Sequence, residues 1–434
     1  MPPLGELLLA GDFSGPFTLH LRVNGLSKAM LLLTSVLLLA SALYAPRYFN
    51  TVVAASRRRQ AGFWLLLALL AASLSLIWLA ADLLLIYIGL EVMGLAAVGL
   101  MLLPGKAETR RSGLRYLVLS LLGSLSFLLG VALLLGFWGR LDLAGLAQSV
   151  EPGLPLSMAM ALISAGLLLK AAVFPLHAWL TPVHAAAWIP VSALHAGLVI
   201  KASFFVLLQL WLLLLPNATS AAGLIGALAS AAVVWGAVMA WRAEQLKEVV
   251  AWSTVSQLGY LLLAFPLLIG TTSAVQELAW EGVWLQLAAH SLAKAAMFMA
   301  AGNLVMATGE TQVRGLTGAS RRFPLALLSF GLAAISLVGM PPSLGFIAKW
   351  QLLHAALLGS QWVWVAVLGV GTLLSAAYVF RVFRYSFVEE GPVRDPHPVP
   401  WVMDGVALVL ALAALLLGLM AEWPLMLLRS GGGT

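Results

Sequence analysis

Cysteine is absent and charge is scarce. Without cysteine there is no disulfide framework, no thiolate metal site, no Cys-ligated iron–sulfur cluster and no Cys nucleophile. Only 9% of the 434 residues are charged, against 62% in the hydrophobic set, and the mean hydropathy is +1.00. A soluble domain carries about a quarter charged residues, so this chain could not cover its own surface in water. It reads as an all-α polytopic membrane protein. Also missing are a phosphate-binding Gly-rich loop ending in Lys-Ser/Thr, a dinucleotide fingerprint and a His-Glu metalloprotease helix. No cofactor, no metal site and no catalytic residue are therefore expected.

Long apolar runs are what the sequence has in quantity. Stretches long enough to cross the hydrocarbon core as helices, about 20 residues each, fall near 27–48, 61–81, 83–104, 113–138, 157–178, 190–214, 219–240, 247–268, 281–307, 323–356, 361–386 and 402–424, giving about 12 spans. The tenth is too long for one straight crossing. It contains Gly339-Met340-Pro341-Pro342, where prolines remove backbone donors and clash with the preceding turn, so a broken helix is expected. Residues 1–26 have no basic n-region and no cleavage site, and are expected to be an extramembrane lead-in.

If loops alternate between sides, one side collects Arg47, Arg57, Arg58, Arg59, Lys106, Arg110, Arg111, Arg115, Arg242, Lys247, Arg314, Arg321, Arg322, Arg381, Arg384 and Arg394. The other collects Arg22, Lys28, Arg140 and Arg429. The positive-inside rule makes the first side cytoplasmic and puts both termini outside. Tryptophans such as Trp64, Trp138, Trp241 and Trp401 fall near span ends, where aromatic belts form.

Four lysines remain, Lys170, Lys201, Lys294 and Lys349, and all lie inside expected spans. A charge at mid-bilayer costs at least about 2.5 kcal/mol on insertion scales, so such residues point to function by default. Glu91 is the acid nearest the middle of a span, while Asp82 and Asp404 lie near span ends and fit interfacial caps. His195 precedes Lys201, and His290 shares a helix face with Lys294 four residues on. His177, His184 and His354 add accessory titratable groups, His184 and His354 also fitting satisfied packing positions. Together these residues suit a proton path. A Glu91–Lys170 pair whose separation changes would change the lysine's proton affinity. An ionisable replacement, Lys349→Glu, is then expected to be tolerated better than Lys349→Ala.

Lysine, proline and histidine recur in Lys170 to His177 and in Pro341 to His354, five spans apart. An odd number of spans inverts the second segment, as in transporters built from inverted repeats with broken helices. The expected organisation is a first helix and cytoplasmic loop (27–60), two inverted five-helix repeats (61–218 and 219–400), each with a broken helix, and a last helix and tail (401–434).

Five ordered segments resemble the antiporter-like membrane subunits shared by respiratory complex I, Mrp-type cation/proton antiporters and membrane-bound hydrogenases. They are Leu90 to Met93, Lys170 to Leu180, Pro190 to Lys201, Leu246 to Tyr260, and His290 to Lys294 with Gly339 to Lys349. The resemblance implies a coupling ion pair at Glu91 and Lys170, a relay at Lys201 with His195, a central link at Lys294 with His290, and a terminal lysine at Lys349. It also implies a non-redox subunit of a multisubunit complex in the bacterial inner membrane, moving protons, with sodium exchange in the Mrp-like branch, beside other antiporter-like subunits. A standalone secondary transporter and the membrane partner of an inorganic-carbon uptake complex are the alternatives. The chain is expected to depart from the family pattern in having two helices fewer at its start and no long lateral helix after the last span, and it has Gln245 where an acid is usual and no acid in the loop Thr181 to Pro190.

Overall fold

The computed structural model describes residues 9–11, 19–388 and 398–429. Arg394, residues 430–434 of the tail and most of the lead-in before Leu19 lie outside the described residues. Two short strands, β1 (Leu9–Gly11) and β2 (Leu19–Leu21), pair antiparallel ahead of the helices.

The first half runs through α1 (Gly25–Thr51), α2 (Arg57–Leu79), α3 (Leu83–Leu102), α4 (Ala107–Trp138), α5 (Leu143–Ser149), α6 (Leu154–Lys170), α7 (Leu180–Ala186), α8 (Ile189–Leu194) and α9 (Ile200–Leu214). The second half comprises α10 (Thr219–Arg242), α11 (Leu246–Leu262), α12 (Ala264–Leu268), α13 (Ser273–Thr308), α14 (Ala319–Arg322), α15 (Pro324–Val338), α16 (Leu344–Leu358), α17 (Trp362–Ser386), α18 (Trp401–Leu416) and α19 (Glu422–Arg429). Among the described residues, 9 helical stretches are long and apolar enough to cross a membrane. α6, α15, α16 and α18 are shorter apolar helices, and they supply the remaining crossings if α15 and α16 are halves of one. Large apolar side chains such as Leu125 and Phe137 on α4, and Leu373 and Phe380 on α17, point outward. Lipid can cover them, whereas water could not do so cheaply.

Local chemistry explains where helices stop. Pro175 lacks an N–H and its ring opposes a carbonyl four residues back, and α6 ends at Lys170 with an unwound stretch before α7. Pro266 does the same to α11, which ends at Leu262, four residues earlier. In the tenth expected span, α15 ends at Gly339, whose φ of +88° favours glycine. Ser343 then caps α16 by accepting from the Phe346 N–H.

Asp82 caps α3 through the N–H groups of Leu84 and Leu85, as expected for an acid at a span end. It lies back to back with Asp142, the cap of α5. Burial pushes the Asp82 carboxyl up. Burial would raise Asp142 too, but hydrogen bonds from Arg140 and Gly145 outweigh it and hold that carboxyl below its ordinary range. Asp404 does not cap a helix: it accepts a hydrogen bond from Asn303 Nδ2 at 2.8 Å, and Asn303 Oδ1 accepts one from Tyr44, knotting α18, α13 and α1 together.

The core is centred on α13, packed by α8, α11, α15, α16 and α18. Nearly every residue of α13 from Gly282 to Leu304 is buried, including His290, Lys294 and Asn303.

Candidate functional site: a buried row of lysines

All four intramembrane lysines are buried: Lys201 and Lys294 at 0% exposure, Lys170 at 5% and Lys349 at 7%. Snorkelling to an interface, the ordinary fate of a lysine near a helix end, is ruled out for each. Every ammonium is held by neutral oxygen atoms, and backbone irregularities supply half of them.

Lys170 is the last residue of α6, where the helix dipole favours a cation. Its Nζ donates to Ser120 Oγ on α4 at 3.3 Å. Glu91 on α3 lies within electrostatic reach of Lys170, with one carboxylate oxygen buried and without a hydrogen-bond partner. No ion pair joins them among the described residues. Gly94, one turn beyond Glu91, lets the helices meet, since a Cβ there would lie 3.0 Å from Ser120 Oγ and 3.7 Å from Lys170 Nζ.

Between α8 and α9 the chain makes a π-turn, His195–Val199. Such a wide turn loosens the backbone ladder, and Lys201 Nζ donates to Ala196 O within it. His195 Nε2 and the Tyr116 hydroxyl share a hydrogen bond at 3.1 Å, its direction set by the histidine tautomer. The His184 ring meets the His195 ring edge-on at 5.2 Å and stacks on Phe298 at 4.8 Å. Sequence left His184 as a packing residue or an accessory, and the structure brings it into the cluster with both ring nitrogens buried and unpartnered.

Lys294 donates to Val250 O at 2.9 Å and to Ser253 Oγ, both on α11. His290, one turn earlier on α13, is fully buried with no hydrogen-bond partner on either nitrogen. It lies within electrostatic reach of Lys201, Lys294 and Lys349 together. Lys349 donates to Leu337 O and Val338 O, both at 3.0 Å, which are carbonyls freed where α15 ends. Its ammonium sits 4.1 Å from the centre of the Tyr260 ring.

His177 lies apart, in the unwound stretch after α6, beside Phe174 and Trp252. His354 is on the exposed face of α16 and joins nothing in the cluster. Several polar partners were not singled out from sequence: Tyr116, Ser120, Ser253, Gln257, Tyr260, Gln286, Ser375 and Tyr378. Gln286 donates to Gln257 at 3.1 Å and Gln257 to Ser375 at 3.2 Å, while Tyr378 gathers beside Ser253, Gln257 and Ser375. This polar seam between α11 and α17 runs from the Lys294 site toward Tyr260 and Lys349. Its signal was present in the spacing of Ser253, Gln257 and Tyr260 along one face of α11.

The arrangement gathers titratable side chains that are buried from water and held by hydroxyls and backbone carbonyls. Comparison with known proteins agrees with a membrane role. Residues 80–375 match the family described as "NADH:quinone oxidoreductase/Mrp antiporter, TM". The chain is 33% identical over 418 residues to an NADH-quinone oxidoreductase subunit N of Desulforudis audaxviator, covering 92% of this chain and 80% of that one. It is 28% identical over 388 residues to a Na(+)/H(+) antiporter subunit of Alkalihalophilus pseudofirmus, covering 88% and 76%. A chain in the structure of the Mrp complex from a Dietzia species superposes with a TM-score of 0.87 at 25% identity, covering 98% of this chain and 86% of that one.

Proposed function

The chain belongs to the NADH:quinone oxidoreductase/Mrp antiporter membrane family, and from that premise we propose that it translocates protons along Glu91, Lys170, His195, Lys201, His290, Lys294 and Lys349. The observation that carries this reading is the burial of four lysines on neutral oxygens. A permanently charged structural lysine is best matched by a buried acid. A lysine that must both gain and lose a proton is better served by carbonyls, hydroxyls and neighbouring imidazoles. Glu91, close to Lys170 but not bonded to it, is then the group whose approach or withdrawal switches the first lysine between states.

In this reading the chain is a non-redox subunit of a multisubunit complex in the bacterial inner membrane, beside other antiporter-like subunits. The basic loops face the cytoplasm and both termini face outward. Residues 61–218 and 219–400 form two inverted repeats, with the breaks after Lys170 and at Gly339 in corresponding places. Sodium exchange would be an additional property of the assembled complex. The relatives named for subunits of respiratory and antiporter complexes, and the likeness to a chain of an Mrp complex, support the assignment.

The test is to purify the complex through a tag on this chain, identify its partners by mass spectrometry and measure proton movement in sealed vesicles. Lys294→Ala should abolish coupled proton transfer while the same partners co-purify. Undiminished transfer by the variant, or full transport by the chain without partners, would overturn the proposal.

A further inference from the structure

The route by which protons reach the first lysine is a separate question, and the loop Thr181 to Pro190, where the family pattern would place acids, has none. Beside the break after α6 the protein has an open cavity of about 560 Å³, lined among others by Glu108, Ser112, His177, Thr181, Glu248 and Trp252. It lies at the end of α4 and α11 where the basic loops gather. Glu108 is exposed at its mouth and Glu248 half-buried. Lys106 lies within electrostatic reach of Lys247 and Glu244 of Glu248, and Lys247 Nζ donates to Ala187 O at 2.8 Å and Ala185 O at 3.2 Å. His177 is 9% exposed, and its Nδ1 is buried without a hydrogen-bond partner. Rings of Phe174 and Trp252 hold it at 5.4 and 5.5 Å.

From this cavity α4 carries a polar side chain at every fourth position: Glu108, Ser112, Tyr116 and Ser120. Ser112, Tyr116 and Ser120 are all buried. Ser112 lines the cavity, Tyr116 hydrogen-bonds His195, and Ser120 accepts from Lys170. The contacts thus run in order from the cavity wall to the two relay groups. Four residues advance about 6 Å along a helix, so successive polar side chains of the stripe lie one turn apart, within the range that bridging water connects.

We propose that this stripe on α4 is the inlet that carries protons from the cytoplasmic cavity to Lys170 and His195. Water in the cavity gives a proton to a Glu108 or Glu248 carboxylate, leaving its hydroxide to the cytoplasmic buffer. Each hydroxyl in turn forms an O–H bond to the incoming proton and releases its own to the next oxygen. Ser112, Tyr116 and Ser120 end unchanged, and the last proton forms an N–H bond on a neutral Lys170 amine or on His195 Nε2. His177 serves as a second acceptor at the cavity wall.

The proposal rests on the relay reading, and its test separates the two. In the tagged complex in sealed vesicles, Ser112→Val and Ser112→Thr have nearly the same shape and differ in the hydroxyl. Thr109→Val removes a buried hydroxyl of α4 that lies off the stripe and has no partner. Ser112→Val should slow proton uptake from the cytoplasmic side several-fold, while Ser112→Thr and Thr109→Val keep the parent rate and all three retain the partner subunits. Equal rates for Ser112→Val and Ser112→Thr, with Lys294→Ala inactive, would overturn the inlet and leave the relay standing. Normal rates for Ser112→Val and Lys294→Ala alike would overturn both.

Discussion

A buried charge is defined by what surrounds it, and Lys349 shows how far that limits substitution. Two carbonyl oxygens at 3.0 Å and the face of Tyr260 at 4.1 Å all present negative potential to the ammonium. The sequence alone suggested that any titratable group would serve at this position, so that glutamate would be tolerated better than alanine. The geometry argues against that expectation, because a carboxylate here would face the three electron-rich groups that now hold the ammonium. Lys349→Glu should therefore transfer protons no faster than Lys349→Ala in vesicles holding the assembled complex, both at a small fraction of the parent rate. A glutamate variant clearly faster than the alanine one would show that the site is not shaped for a cation. The same logic sets Lys349 apart from Lys170, which has a carboxylate within electrostatic reach as well as a neutral hydroxyl partner.

At the scale of elements, the proposed relay draws on places where helices fail. α15 and α16 meet so closely that a Cβ on Gly345 would lie 1.8 Å from Ser336 O. Backbone cannot yield as a flexible side chain can, so Gly345→Ala must push α16 off α15 and carry Lys349 away from the Leu337 and Val338 carbonyls. Overpacking of this kind costs about 1–3 kcal/mol. A lower thermal unfolding temperature of the detergent-solubilised complex, together with impaired proton transfer, is the expected result, and an unchanged one would mean that the two half-helices slide freely. The breaks themselves were legible, because Pro175 and the pair Pro341-Pro342 stand in otherwise apolar runs, and so were the four lysines, whose charge is conspicuous there. The π-turn at His195–Val199 was not legible, since nothing in His-Ala-Gly-Leu-Val distinguishes a widened turn from an ordinary one. The hydroxyl partners were equally hidden. Serine and threonine in membrane helices commonly bond their own preceding carbonyl, as Ser329, Thr308 and Ser253 do here, and only the packing of α4 against α6 and of α11 against α13 brings lysines to Ser120 and Ser253. His354 illustrates the converse, a titratable residue near a break that faces outward.

For the whole molecule, the decisive quantity is which face meets the cytoplasm, because it gives the proposed inlet and the Lys349 end their direction. The loops joining α2, α4, α10, α11 and α17 to their neighbours on one side carry most of the arginines, and that excess orients a chain as it inserts. The absence of cysteine makes the orientation directly measurable, since each introduced thiol is the only one in the chain. Glu151 and Asn217 are exposed in connections on the poorly basic side, while Arg58 and Arg242 are exposed on the basic side. In intact cells stripped of their outer barrier, a membrane-impermeant maleimide should label Glu151→Cys and Asn217→Cys. Arg58→Cys and Arg242→Cys should react only after the membrane is opened, provided each variant still assembles with its partners. The reverse pattern would turn the cavity at Glu108 outward and make the α4 stripe an outlet. Labelling of Glu151→Cys and Asn217→Cys from opposite sides would break the even number of crossings between them and with it the inverted arrangement of 61–218 and 219–400.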